Sequence, residues 1–253
     1  QVRPGYSSVP AGDCPGEFRR GRLPAMTTRT DPRQATPRLE AGDRLTREEF
    51  ERRYDAMPGL KKAELIEGVV YIPSPPRYQA HGEPQAHLVG WLGTYVASTP
   101  GTDAGVNSTL RLDNDNEPQP DAILRIEESK GGSSRIDDED YLVGPPELVA
   151  EVTSSNVSYA LGPKLQTYRR HGAREYLAWR VLDGGLDWFV LRQGRYERLA
   201  AGADGLLRSE VFPGLWLDVR ALLAADMAKV LETLRRGIES PEHAAFVDRL
   251  SRA

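Results

Sequence analysis

One ten-residue stretch, PELVAEVTSS at 146–155, constrains the fold more than any other. Residues 148–152 are apolar and β-branched enough for a strand buried on both faces, yet Glu151 stands in their midst. Successive side chains on a strand point to opposite faces. Leu148, Ala150 and Val152 therefore share one face, and Val149, Glu151 and Thr153 the other. A buried carboxylate without a partner costs several kcal/mol. The fold must therefore bring Glu151 a basic side chain or a bound cation.

Local signals place hairpins and helices around this strand. Thr46 followed by Glu49 forms a capping box that predicts a helix over 47–56, ended by Pro58-Gly59. Apolar runs on either side of Glu67-Gly68 predict a β-hairpin of 63–66 with 69–72. Leu88, Trp91, Leu92, Tyr95 and Val96 recur at helical spacing within 84–98. Residues 106–112 and 120–126 flank a polar turn and are expected to pair with each other, with a charged loop after them. Gly162-Pro163 is expected to open a helix that stops at Gly172. Strands are expected at 175–182, 186–191, 195–199 and 213–217. Residues 220–236 read as one amphipathic helix whose apolar stripe is expected to dock or form a dimer contact, and Pro241 opens a last helix. Hairpins mixed with helices, without regular alternation, predict an α+β (mixed α/β) fold with a mixed central sheet, flanking helices and β-hairpins.

Residues 1–42 are rich in Pro, Gly, Arg, Ser and Thr and lack apolar periodicity, so they are expected to be a disordered N-terminal extension. They contain no apolar core of a secretory signal, and Met26 is a candidate translation start. The remainder divides into a domain at 43–220 and a C-terminal helical extension at 221–253. A single cysteine, Cys14, excludes a disulfide framework within one chain and a cysteine-based zinc site, and suits the reducing cytoplasm. No apolar run approaches the roughly 18 residues of a membrane helix, so no membrane association is expected. The chain carries a net −4; the first 42 residues hold seven arginines against four acids, leaving −7 for the rest. An acidic domain is not built to coat nucleic acid electrostatically, though a local basic groove remains compatible.

A second carboxylate, Asp121, follows Pro120 at the start of the apolar run 122–126. If that strand pairs with 148–153, the two carboxylates can meet. Hard oxygen ligands of this kind suit Mg²⁺, which typically takes one or two protein carboxylates and keeps water for a substrate phosphate. A metal-activated water beside a lysine can hydrolyse a phosphodiester.

Pro120-Asp121 followed by Glu151-x-Thr153 resembles the PD-(D/E)XK nuclease superfamily, with Thr153 in the usual lysine position. More closely, the chain resembles the Uma-type restriction endonuclease family. The matching pieces run in order as LTREEFERRYDAMPG, AELIEGVVYIPSPP, His81, QPDAIL, PELVAEVTSS, GPKLQTYRRHGAREYLAW and FPGLWLDV, over about 45–220. The resemblance implies a restriction-endonuclease-like core and a metal-dependent endonuclease. It implies Asp121 and Glu151 as ligands of Mg²⁺, with Mn²⁺ as a substitute. Lys164, in the following helix, would supply the ammonium that Thr153 lacks, orienting the attacking water or stabilising charge on the phosphate. Glu64 matches an acidic position of the family and is a candidate third carboxylate near the metal. His81 matches a family histidine. The chain departs from the family at Ser155-Asn156, Ala160 and Pro163. The expected partner is nucleic acid, DNA first, with a homodimer through the C-terminal helices compatible. The alternative is a catalytically impaired nuclease-fold protein that binds nucleic acid or a protein.

Overall fold

The computed structural model describes residues 36–154 and 157–253; the bulk of the N-terminal extension and the Ser155-Asn156 departure lie outside them. The chain runs α1 (Arg47–Asp55), β1 (Glu64–Ile66), β2 (Val69–Tyr71), a π-helical turn (Tyr78–Gly82), α2 (Glu83–Val96), β3 (Thr102–Gly105), β4 (Leu110–Arg111) and β5 (Ala122–Ile126). It continues through β6 (Arg135–Ile136), β7 (Leu142–Val143), β8 (Leu148–Thr153), α3 (Val157–Tyr159), a second π-helical turn (Ala160–Lys164), α4 (Leu165–His171), β9 (Glu175–Arg180), β10 (Gly185–Arg192) and β11 (Arg195–Arg198). It closes with β12 (Leu207–Arg208), β13 (Trp216–Leu217), α5 (Val219–Leu223), α6 (Met227–Ile238) and α7 (Pro241–Arg252).

Six strands form the central sheet in the order β11-β10-β9-β8-β5-β3. Only β8 and β9 are parallel, joined by the crossover helix; the other neighbours are antiparallel. The sheet is therefore mixed, and the fold is α+β. Alternation along β5 and β8 sends Ala122, Leu124, Leu148, Ala150 and Val152 into the main apolar cluster with Leu88 and Trp91 of α2. Ile123 and Val149 face the other way, toward Leu165 and Tyr168 of α4. A third cluster, with Phe50, Leu65 and Val70, holds α1 on the β1–β2 hairpin.

The hairpin turns on Glu67 (φ 53°) and Gly68 (φ 71°), both left-handed as a two-residue type I′ turn requires. Its β1 strand is stitched to the segment before Asp121 by Leu65 N–H to Glu117 O (3.1 Å) and Glu117 N–H to Leu65 O (2.7 Å). That stitch brings Glu64 to the central sheet. Thr46 caps α1 by accepting from Glu49 N–H, while the Glu49 carboxylate turns to Arg52 and Arg53.

Four expectations change. The neighbour of β5 on the side away from β8 is β3, not residues 106–112; Leu110 and Leu112 instead fold back on Pro118 and Asn116 by backbone hydrogen bonds, and β4 pairs in parallel with β7. The crossover helix begins before Gly162-Pro163, which lies inside it. Pro163 is accommodated because Leu165 N–H reaches back five residues to Ala160 O, a π-helical turn. The 220–236 helix is two helices, broken where Ala225 is left-handed (φ 56°) and Asp226 caps Lys229 N–H. Its stripe docks, the first of the two roles expected for it: Leu222, Val230 and Leu234 join Phe246 and Leu250 of α7 in the main cluster. Finally, ordered structure starts upstream of 43, since Leu39 is buried and Gly42 N–H bonds Val70 O (2.8 Å). Residues 36–253 thus pack as one compact unit.

Glu175, at the start of β9, knots the core. Its carboxylate accepts from Trp188 Nε1–H, Ser209 Oγ–H and the Glu210 N–H. Burial pushes it up to about 7, against those hydrogen bonds, which pull it down. A carboxyl raised in the folded state binds its proton more tightly there than in the unfolded chain. Stability from this group is therefore full below its unfolded pKa and lost as pH rises through about 7. We expect it to lower the unfolding free energy by about 2 kcal/mol between pH 5.5 and 8. Urea denaturation at the two pH values, with the Glu175 carboxyl followed by NMR, measures this; a Glu175 titration midpoint near 4.5 would refute it.

Candidate active site

Strand pairing builds the site at the end of β8. Ala122 lies opposite Ala150 in the antiparallel register, so one step further sets Asp121 across from Glu151. Residues opposed in this way share a face, with Cβ atoms about 5 Å apart. Asp121 Oδ2 accepts Val152 N–H at 2.8 Å, which fixes its carboxylate on the neighbouring strand. Asp121 Oδ1 faces Lys62 Nζ at 3.4 Å and His81 Nε2 at 3.3 Å.

The crossover helix supplies the lysine. Lys164 Nζ lies 2.8 Å from Glu151 Oε1 and 2.8 Å from Glu64 Oε1. Tyr168 Oη, one turn on, also donates to Glu151 Oε1 at 3.3 Å. Glu64 Oε1 accepts Gln119 N–H at 2.8 Å, and Tyr159 Oη donates to its Oε2 at 3.4 Å. The partner that Glu151 requires is therefore a lysine from its own crossover helix. Glu64, Asp121, Glu151 and Lys164 are all buried in one network.

Three buried carboxylates face two lysines, and the proton affinities follow from that imbalance. Burial raises the Glu151 carboxyl to about 7, opposed by Lys164 and reinforced by Asp121 and Glu64. For Asp121 burial acts upward too, but the His81 hydrogen bond with the charges of Lys62, His81 and Lys164 holds it below the usual carboxylate range. Burial works against a charged Lys164, and Glu151, Glu64 and Asp121 outweigh it, keeping the ammonium charged. His81 is raised by its hydrogen bond to Asp121.

The residues fit a divalent cation by their donor chemistry. Among the described residues, the hydrogen bonds to Glu151 both fall on Oε1, which leaves Oε2 for a further ligand. Thr153 Oγ1 is buried on the same strand face without a partner among the described residues. Among those residues no three His, Cys, Asp or Glu side chains are grouped to hold a metal by themselves. Two carboxylates, Asp121 and Glu151, with water completing the shell, would be the kind of donor set that suits Mg²⁺.

Lys62 and Tyr159 escaped the sequence reading. Lys62 had a signal: it lies two residues before Glu64 in an extended approach, hence on the same face. Tyr159 had none, because its helix was expected to start only at Gly162. Tyr168 was legible only as part of the family spacing.

A mixed sheet carrying opposed carboxylates at one strand end, with a lysine delivered by the crossover helix, is a restriction-endonuclease-like core. Residues 47–220 match the model of the family Uma2, described as "Putative restriction endonuclease". The chain belongs to that family. Among solved structures it is similar to one titled a putative nuclease belonging to DUF820 from Anabaena variabilis, at 15% identity and a TM-score of 0.51, covering 64% of this chain and 89% of that one. At that identity the likeness bears on the fold. None of the curated proteins matches. No helix among the described residues is long and apolar enough to cross a membrane.

Proposed function

We propose that the domain is a divalent-metal-dependent endonuclease that hydrolyses nucleic-acid phosphodiester bonds, with DNA as the favoured substrate. The observation that carries this reading is the buried network of Asp121 and Glu151 with Lys164. A bound Mg²⁺, or Mn²⁺ in its place, supplies Lewis-acid polarisation of a phosphoryl oxygen and a water more acidic than bulk. Asp121 and Glu151 would hold the ion. Lys62 and His81 keep Asp121 ionised and aimed. Lys164, with its side chain 4% exposed, holds Glu151 in place and contributes positive charge toward the reacting phosphate. Lys62, with its side chain 25% exposed, is the cation that an incoming phosphate reaches first. Glu64, fully engaged by Lys164, Gln119 N–H and Tyr159, is a positioning residue in this scheme.

The test is incubation of the full chain with duplex DNA, single-stranded DNA and RNA in Mg²⁺ or Mn²⁺. Metal-dependent scission supports the reading. No scission of any substrate, combined with no metal-induced rise in melting temperature, would sink it.

A second reading is a binding module without turnover. It is favoured by Thr153 in the position of the usual lysine and by a domain that is acidic overall. Nucleic-acid binding that persists in Asp121→Ala and Glu151→Ala, with no cleavage by the wild type, would select it.

A further inference from the structure

Arg125 on β5 is a buried cation that the proposed chemistry does not use. It is 6% exposed, and its Nε is enclosed without a hydrogen-bond partner. Asp103 is its cross-strand neighbour on β3, yet the two form no ion pair among the described residues. An enclosed Nε–H with no acceptor among the described residues is costly, so its retention asks for a ligand at that edge. Arg125 lines a cavity of about 440 Å³. Ile123 and Ile136 are among its apolar walls, and Asp103 and Asp140 bring carboxylates to its lining. Ile136 is 57% exposed and so accessible to a ligand in the cavity.

This lining selects among ligands. Two carboxylates beside the guanidinium repel a phosphate, whose charge they oppose. An uncharged heterocycle that accepts on one edge and donates on another matches both signs. Guanine does so: O6 and N7 accept from an arginine fork, and its N1–H and N2–H₂ donate to a carboxylate. The isoleucines offer flat apolar contact to its ring.

Position connects the cavity to the site. Asp121, Ile123 and Arg125 alternate onto one face of the sheet. Arg125 therefore lies about 13 Å along the strand direction from Asp121, within reach of an unpaired base on a single strand whose backbone passes the carboxylates. We infer that the Arg125 cavity is a guanine-recognition subsite for the nucleic acid whose backbone reaches the carboxylates. The inference rests on the nucleic-acid reading above, but needs binding only, not cleavage.

The experiment uses the full chain without divalent metal. Fluorescence anisotropy compares a decathymidylate carrying one central guanine with the same oligomer carrying one central adenine, with inorganic phosphate as competitor. The guanine oligomer should bind about tenfold more tightly. Arg125→Gln should abolish that preference and Asp140→Asn should reduce it; asparagine tolerates the left-handed backbone at 140 (φ 65°). Arg125→Met should melt no lower than the wild type, since it removes an unsatisfied buried donor and keeps the apolar stem. Equal affinity for the two oligomers, a guanine preference that survives Arg125→Gln, displacement by inorganic phosphate alone, or an Arg125→Met variant that melts several degrees lower would each overturn the inference. Guanine preference with neither metal-dependent scission nor a metal-induced rise in melting temperature would leave it standing while removing the nuclease reading. Scission without guanine preference would do the reverse.

Discussion

Lys164→Met should cost the domain about 3–5 kcal/mol of stability, because it leaves buried carboxylates without their shared cation. For a domain of this size that corresponds to a fall in Tm of the order of 10 °C. The loss should depend on pH with a definite sign. Lys164 lowers the proton affinity of Glu151, which burial and neighbouring carboxylates already raise to about 7. Without the ammonium that affinity rises further, so the folded variant takes up a proton that the unfolded chain does not. Such a group contributes stability at acid pH that is lost as pH climbs through the folded pKa. The deficit should be smallest near pH 5 and largest near pH 8. Urea denaturation of wild type and variant at both pH values reads this directly. A deficit below about 1 kcal/mol, or one that is the same at both ends, would mean that Lys164 is not the counter-ion of Glu151 and Glu64 in solution. Lys164→Arg keeps the charge and should recover part of the loss, but a planar fork does not reproduce a compact ammonium set 2.8 Å from both carboxylates.

The parts of the fold legible in the sequence are those specified by short-range chemistry. The β1–β2 hairpin announces itself through Glu67-Gly68, because a type I′ turn needs two left-handed residues and few dipeptides supply them. Gly172 (φ 86°) ends α4 for the same reason. β8 is legible because it is apolar on both faces except at Glu151, and β9 to β11 because tight turns separate them. What the sequence hides is pairing at a distance and irregularity inside helices. β5 could have taken residues 106–112 as its neighbour; β3 wins while 110–112 turn back on 116–118, a choice made by the whole chain. Pro163 is a strong helix-start signal that misleads here, since a π-helical turn absorbs it. Ala225 adopts a left-handed backbone with no glycine or asparagine to mark it. The candidate site shows the same division. Strand alternation could place Asp121 and Glu151 on sheet faces, but only the family resemblance singled out Glu64 and Lys164. The bond from Lys164 to both glutamates depends on a helix whose start the sequence misplaced.

Asp121→Asn should separate the proposed chemistry from the fold. Asparagine is nearly isosteric, and its Oδ1 can still accept the Val152 N–H that Asp121 now accepts at 2.8 Å. The variant should therefore fold, with a loss of about 1–2 kcal/mol at most for the charge that faced Lys62 and His81. Its amide nitrogen, however, turns a donor toward Lys62 and His81, where an anionic oxygen stood, and it removes one of the two anionic ligands proposed for the metal. Cleavage should fall by roughly 10³-fold or more, the scale of several kcal/mol that a Lewis acid contributes to a phosphoryl transition state. A second readout is independent of turnover. If the wild type binds Mg²⁺ in its folded state alone, saturating metal at a hundred times the Kd should stabilise it by about 2.7 kcal/mol. Asp121→Asn should lose most of that gain, with a metal-free Tm only a few degrees below that of the wild type. Should both proteins cleave alike, Asp121 is not a ligand of the reacting centre. Should neither respond to Mg²⁺ while both bind nucleic acid, the carboxylate–lysine network serves only to join β1, β5, β8 and the crossover helix, and the domain acts by binding.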